Sequence, residues 1–271
     1  MKAFSHYVVT RFNIKSEGWV NDKNGNKVND LSWLKKRYQL FETFCLPSMQ
    51  AQTEKDYSWL VFFDKDTPVE FKKRNEKIRA QLPQFMPFYV SGFLDFENTL
   101  RNFVFEESQT TYVMTSRFDN DDCFHEDAIH VIHNTFVKND STIIELSKGL
   151  TLLIEDENKL AKRQNVFSGP FITLIEKKSD KTTLKTVYDC EHTSWADVAK
   201  FIEVDDNFYW LQTIHSANIS NTLYQDLTYN KNLLKGFNFE YNVQFKLSYI
   251  LFVICKNLGV FKLKNSFKNT E

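Results

Sequence analysis

The sequence predicts an α/β protein built on a mixed, mostly parallel sheet flanked by helices, and three features carry that expectation. Apolar, β-branched and aromatic runs alternate with helical patterns through residues 1–122, the runs are apolar almost without interruption, and charged or amide residues collect just past their ends. Strands that alternate with helices pair in parallel through right-handed crossovers. Strands covered on both faces lose the apolar-polar alternation of a half-exposed sheet. In such open sheets ligands bind outside the carboxyl ends of the strands, so the polar residues gathered there are the candidates for function.

Taken in order, residues 6–14 read as the first strand, with Tyr7, Val8, Val9 and Phe12 apolar and Arg11 and Asn13 near its end. Residues 15–29 are polar, carry Gly18 and Gly25, and read as a loop. Asp30 or Ser32 can cap a helix in which Leu34, Tyr38, Phe41 and Cys45 recur at helical spacing, and Pro47 is expected to stop it. Residues 57–63 form a second apolar run, ending in Asp64-Lys65-Asp66-Thr67-Pro68 before a charged helix over 69–82. A strand at 85–90, a helix at 95–105 and a strand at 111–118 follow. Beyond them the pattern predicts a helix over 124–137, a hairpin of 142–146 with 150–154 around Ser147-Lys148-Gly149, and a strand at 171–176.

Composition narrows the function classes. A chain of 271 residues, 42% hydrophobic and 25% charged, reads as an ordinary soluble globular protein of one large domain, alone or with an appendage. With 7 Gly and no GxGxxG or P-loop pattern, Gly-rich phosphate cradles are excluded. A net charge of -1 gives no nucleic-acid footprint. Cys45, Cys123, Cys190 and Cys255 lie far apart without a CxxC pair, and the first residues lack a basic-then-apolar leader, so the expectation is reduced thiols in a cytoplasmic protein without structural zinc.

The chemistry concentrates where the strand over 111–118 runs into Asp119-Asn120-Asp121-Asp122. Crowded carboxylates raise each other's pKa unless positive charge neutralises them, and hard divalent cations such as Mg²⁺ or Mn²⁺ take oxygen ligands. A polar loop capping the next helix is the plainer explanation for a single Asp, less so for three. Arg11, Asn13, Asp64, Asp66 and Arg117 share that rim of strand ends, and an arginine beside a buried strand needs an anionic partner. Asp64 and Asp66 can equally cap the helix that follows them. His125, His130 and His133 read as surface or boundary residues, since Ile129 stands where a metalloprotease motif needs its second histidine. Asp189, Glu191, His192, Trp195 and Asp197 suit an acceptor-binding side, while His215, in a partly apolar run, reads by pattern alone as a satisfied core histidine.

Trp33-Leu34, Arg37, Phe41-Glu42, Cys45-Leu46-Pro47-Ser48, Gln50, Trp59-Leu60-Val61, Asp64, Thr67-Pro68, Thr115-Ser116-Arg117-Phe118-Asp119-Asn120-Asp121-Asp122, Trp210-Leu211-Gln212, His215 and Asn218 resemble the rhamnosyltransferase family of bacterial surface-polysaccharide enzymes, over residues 4–221. The resemblance implies a GT-A-like, Rossmann-type glycosyltransferase domain over 1–221, divided into a nucleotide-sugar half at about 1–122 and an acceptor half at about 123–221, with a helical C-terminal extension at 222–271 packed on it. It implies Mn²⁺ or Mg²⁺ as cofactor, with Asp119, Asp121 and His215 toward the metal. Arg11, Asn13, Asp64, Asp66, Arg117, Asp119 and Asp122 would then face a nucleoside diphosphate-sugar. The acceptor would be a saccharide or lipid-linked. No motif fixes the catalytic base; Asp197 and His192 are the candidates, with Asp189, Glu191 and Glu176 behind them.

Two other classes fit parts of the sequence. Asp64-Lys65-Asp66 after a strand resembles the nucleophile motif of haloacid-dehalogenase-like phosphatases, although Pro68 replaces its usual Thr or Val and the strand is not the first. A non-catalytic carbohydrate- or nucleotide-binding module would also keep the acidic cluster. In the C-terminal segment, residues 249–255 are expected as a helix packed on the domain, and Phe261, Lys262, Lys264, Phe267 and Lys268 as a basic, aromatic edge giving peripheral contact with the inner face of a membrane.

Overall fold

A computed structural model describes residues 2–15, 28–154, 157–216, 218, 223 and 226–258. The basic, aromatic edge and residues 16–27 of the expected loop lie outside the described residues. The first half alternates as expected: β1 (Phe4–Arg11), α1 (Leu31–Leu40), α2 (Leu46–Gln50), β2 (Ser58–Asp64), α3 (Val69–Gln81), β3 (Phe85–Val90), α4 (Phe93–Glu107) and β4 (Tyr112–Arg117). Then come β5 (Cys123–Phe124), α5 (Ala128–Asn134), β6 (Thr142–Leu146), β7 (Gly149–Leu153), β8 (Lys159–Arg163), β9 (Ile172–Lys177), β10 (Lys200–Val204), β11 (Trp210–Ile214), β12 (Leu227–Thr228) and α6 (Leu247–Asn257).

The main sheet has the order β10-β6-β9-β4-β1-β2-β3. Neighbours from β3 through β4 are parallel, β9 runs antiparallel between β4 and β6, and β10 is parallel to β6. Both faces are buried, which is why the strands read as unbroken apolar runs. Val8, Trp59, Val61 and Phe63 join one core with Leu34 and Tyr38 of α1, Phe71 and Ile78 of α3 and Ile129 and Ile132 of α5. Tyr7, Val9, Leu60 and Phe62 join the other with Phe96, Leu100 and Val104 of α4.

Three expectations are corrected. Pro47 does not end its helix. Phe41–Cys45 is a wide π-turn in which Leu46 N–H donates to Phe41 O, and the helix continues to Gln50. Proline removes the donor that would reach the Thr43 carbonyl, and Glu240 N–H fills that carbonyl instead at 2.7 Å. The helix expected over 124–137 begins only at Ala128, because His125 N–H donates to Tyr209 O at 2.9 Å and Glu126 N–H to Gly236 O at 2.8 Å. The hairpin over 142–154 does not form. Every β6 residue is buried, as a strand with two neighbours requires, whereas β7 belongs to a second sheet, β12-β8-β7-β11-β5. Ser147 and Lys148 carry the chain from one sheet to the other, and Gly149 lies under the Trp210 ring with no room for a Cβ. The second sheet has its own core, with Phe44, Leu150, Leu152, Leu160, Leu211 and Val243. From α6, the Tyr249 hydroxyl donates to Leu160 O of β8 at 2.8 Å.

Candidate active site

The acidic turn is assembled by both sheets. Phe118 N–H donates to Val9 O at 3.1 Å, which keeps β4 against β1 to its end. The Asn120 amide then donates to the carbonyls of Arg11 at 3.1 Å and Phe12 at 2.8 Å. From the second sheet, Thr213 N–H donates to Asp122 Oδ1 at 3.0 Å and its hydroxyl to Asp121 O at 2.8 Å. Each backbone bend of the turn is thereby anchored, so the side chains of Asp119 and Asp121 are left for the cavity.

That cavity measures about 270 Å³, and its walls include Arg11, Asn13, Trp33, Arg37, Arg117, Asp119, Asp121, His192, Gln212 and Asn218. Asp121 is buried rather than an exposed member of a repulsive cluster. Its Oδ2 accepts from Arg37 Nη1 at 2.7 Å, His215 Nε2 at 3.0 Å and Asn218 Nδ2 at 3.2 Å. Burial pushes the Asp121 carboxyl up, but Arg37 and His215 outweigh it and hold the group below the usual carboxylate range. At Asp122 the pull of Arg37 is outweighed. Burial, then the charges of Asp121 and Asp119, push it well above that range, and its Oδ1 accepts from Thr213 N–H.

Two of the arginines, Arg37 and Arg117, are short of acceptors. Arg117 lies 3.5 Å from Asp119 Oδ2, Arg11 sits 4.7 Å from the Tyr188 ring and 5.4 Å from that of Phe93, and Arg37 packs 5.4 Å from Trp33. The Nε atoms of Arg37 and Arg117 are buried without a hydrogen-bond partner. Orphaned buried donors are costly and uncommon, and a cavity wall carrying two of them suits a multiply charged anion.

Also lining the cavity is His192, whose Nδ1 donates to Ser168 O at 2.7 Å while Ser168 Oγ donates to His192 O at 2.7 Å. A carbonyl can only accept, so the neutral ring carries its proton on Nδ1 and leaves Nε2 as a base. Ser168 is itself left-handed at φ 56, and the next amide, Gly169 N–H, is held at 2.6 Å by Glu145 Oε1.

Other sequence candidates lie elsewhere. Asp64 is buried behind Asn13, its Oδ1 accepting from Asp66 N–H at 2.8 Å and lying 3.1 Å from Lys15 Nζ, while Asp66 is exposed; neither lines the cavity. Asp197 is exposed at the end of a 3₁₀ turn, His192–Asp197, off the cavity wall. Asp189 pairs with Arg101, and Glu176 is buried beside the exposed Asp140, where burial and then Asp140 push its carboxyl up to about 8. Arg37, Gln212, Glu145 and Tyr188 carried no assigned role in the sequence. Arg37 lies four residues after Trp33 on one helix face, a spacing shared by any packed pair.

Among the described residues no three His, Cys, Asp or Glu groups converge as a metal cluster. Mg²⁺-like ions are held by one or two carboxylates, with substrate phosphates and water completing the shell. Asp121 Oδ2 and His215 Nε2, 3.0 Å apart, match adjacent donors on an octahedral ion with bonds of about 2.1 Å. The pair therefore fits two of the six positions of such a shell, with the cavity beside it for the rest.

A β3-β2-β1-β4 parallel core joined to antiparallel β9, with an Arg-x-Asp-Asn-Asp-Asp turn at the switch between β1 and β4, gives the expected mixed, mostly parallel α/β fold, its acidic turn placed where open sheets of this kind bind ligands. Residues 4–226 match the family model described as "Putative rhamnosyl transferase", and the chain belongs to that family. Among solved structures, S. aureus TarS 1–349 is similar at 14% identity and TM-score 0.44, covering 77% of this chain, which spans 60% of that structure's length. TarS 1–349 in complex with UDP-GlcNAc gives 14% identity and 0.44, over 83% of this chain and 62% of that one. The inositol-1-phosphate CTP transferase from T. maritima gives 12% and 0.37, over 82% and 93%. No curated protein matches the sequence.

Proposed function

We propose that this protein is a metal-dependent glycosyltransferase that moves a sugar from a nucleoside diphosphate-sugar to a saccharide or lipid-linked acceptor in surface polysaccharide synthesis. The observation that carries the reading is the pair of partnerless Nε donors on Arg37 and Arg117 in one cavity with Asp119 and Asp121. A diphosphate supplies the acceptors those donors lack. Asp121 and His215 would hold Mn²⁺ or Mg²⁺, which supplies neutralisation of the leaving diphosphate's charge. Arg11, Asn13 and Arg117 line the donor wall, and Asp119 stands beside them for the donor ribose or sugar. His192, with Nε2 unprotonated, takes the acceptor hydroxyl proton as general base. Asp197 remains the alternative base if a longer acceptor reaches it.

A thermal-shift screen of UDP-, GDP-, dTDP- and CMP-sugars with Mn²⁺ tests the reading, since a ligand of the folded state raises apparent stability by RT ln(1 + [L]/Kd). One donor class should stabilise the protein in a Mn²⁺-dependent way and be hydrolysed slowly. Turnover of p-nitrophenyl phosphate instead would favour the phosphatase, and neither activity a binding module. The phosphatase has the weaker structural support, since Asp64 is engaged by Lys15 and the Asp66 amide.

No helix among the described residues is long and apolar enough to cross a membrane. α6 nevertheless exposes Leu247, Leu251 and Leu258 beside Lys246 and Lys256. We place the protein on the cytoplasmic side, with this face and the residues after Leu258 touching anionic lipid. Salt-sensitive sedimentation with anionic liposomes, lost on truncation after Leu258, is the expected result. Salt-independent sedimentation, or none, would remove the membrane from the picture.

A further inference from the structure

Arg37 is the cation that holds Asp121, and it is also a donor in want of an acceptor. Its Nη1 bonds Asp121 Oδ2 at 2.7 Å, while its Nε is buried without a partner on the same cavity wall. That oxygen also accepts from His215 and Asn218. With three donors on it, Asp121 Oδ2 has no lone pair left for a divalent ion. A hard cation needs a carboxylate oxygen of this kind, so the ion and the guanidinium compete for one atom. The other two acids of the turn have partners of their own: Asp122 is directed to Thr213 N–H, and Asp119 lies 3.5 Å from Arg117.

We propose that Arg37 is an exchangeable occupant of the cation position. It neutralises Asp121 while the cavity holds no nucleotide, yields that carboxylate to the divalent ion, and turns its fork, Nε included, onto the diphosphate that arrives with the metal. The proposal rests on the nucleotide-sugar reading and adds to it a residue with two successive partners. Guanidinium geometry supports the second partner, because its N–H groups match phosphate oxygens two at a time. Trp33 supports the first: its ring, 5.4 Å from the guanidinium carbon, gives the side chain a surface to rest on when the cavity is open.

An occupant that is exchanged predicts opposite signs for its two ligands. Mn²⁺ binding to the nucleotide-free protein can be read by electron paramagnetic resonance of the free ion. Nucleotide binding can be read by calorimetry with UDP, GDP and dTDP in the presence of Mg²⁺. Arg37→Ala is expected to tighten Mn²⁺ about fivefold, the low end of ordinary coupling between sites. It should weaken the preferred nucleotide about tenfold or more, the value of one charge-assisted hydrogen bond. Arg37→Lys retains a charge on Asp121 but has no Nε or fork, so Mn²⁺ affinity should stay near wild type while the nucleotide is weakened. This second variant keeps the test valid if the alanine variant unfolds. Weakening of both ligands in both variants, as a purely structural arginine would give, or unchanged Mn²⁺ affinity in Arg37→Ala, overturns the exchange. A wild-type protein that binds Mn²⁺ and nucleotide while Arg37→Ala matches it for both overturns the exchange but leaves the transferase reading standing. Wild type that binds neither overturns both.

Discussion

Two polar clusters are buried against β1 and β4, one beneath α5 and one past the strand ends, and they meet the same difficulty in opposite ways. Beneath α5, His6 Nδ1 meets His133 Nε2 at 2.9 Å, His6 Nε2 meets Ser116 Oγ at 2.6 Å, and Ser116 meets Thr173 at 2.5 Å. Burial, then His133, lowers the His6 pKa well below the ordinary histidine value, so this chain is neutral and each link has a partner. Past the strand ends, charge is balanced by charge, and Arg37 Nε, Arg117 Nε and Asn120 Oδ1 are left over. A self-satisfied cluster serves the fold alone. A cluster with buried donors left over holds free energy that a ligand recovers.

The largest effect should come from His192, if the charged end is where chemistry happens. His192→Gln is expected to lower kcat about 1000-fold with donor KM little changed, as for a group acting in the transition state. Glu145→Gln, which acts only through Ser168 and Gly169, should cost about tenfold in kcat and shift the pH profile of turnover. Near-wild-type turnover in His192→Gln would send the search for the base to Asp197.

Asp121→Asn probes the charge balance itself. Removing one partner of a buried ion pair leaves an uncompensated cation, so unfolding in urea should show a loss of about 3 kcal/mol, together with loss of Mn²⁺-dependent nucleotide binding. An equal or higher stability would mean that Arg37 and Asp121 do not depend on each other, and the contrast between the clusters would fail.

The smallest and most specific effect concerns pH. His6 refuses a proton in the native state that the unfolded chain accepts, so its contribution is present above about pH 6.5 and is lost as pH falls toward its lowered native value. Glu176, at about 8, acts with the opposite sign: its native form keeps a proton that the unfolded chain releases, so stability falls as pH rises between the ordinary glutamate value and about 8. The wild-type profile mixes the two. The difference in stability between wild type and His6→Gln should therefore rise with pH below 6.5, with a slope of up to about 1.4 kcal/mol per pH unit. A flat difference would mean that His6 titrates normally.

The parallel half of the fold was legible because each of its strands carries the signal on its own residues: an apolar run, then a polar end. The acidic turn was legible for the same reason. The second sheet was not, since β5 and β12 are two residues long and their pairing depends on chain far away, as in Trp210 opposite Phe124. Pro47 misled because the compensation for its missing N–H comes from Glu240, nearly two hundred residues on. Glu145 escaped notice, and Arg37 was named in the resemblance without a role, for a related cause. One sits on a buried strand next to the sheet edge and the other on an ordinary helix, and only the tertiary fold brings a loop amide to the first and a carboxylate to the second.

The π-turn after α1 works as a change of phase. Its extra residue lets a single helical segment present Leu34, Tyr38 and Phe41 to the core of the main sheet and Phe44 to that of the second. Its freed carbonyl is bolted to Glu240. Deleting one residue from Phe41–Cys45 would restore a regular helix and turn everything upstream by about 100° relative to the second sheet. Arg37 would then point away from Asp121 with every residue of the acidic turn still in place, so the reach of that guanidinium is indexed by a helical irregularity as much as by its own side chain.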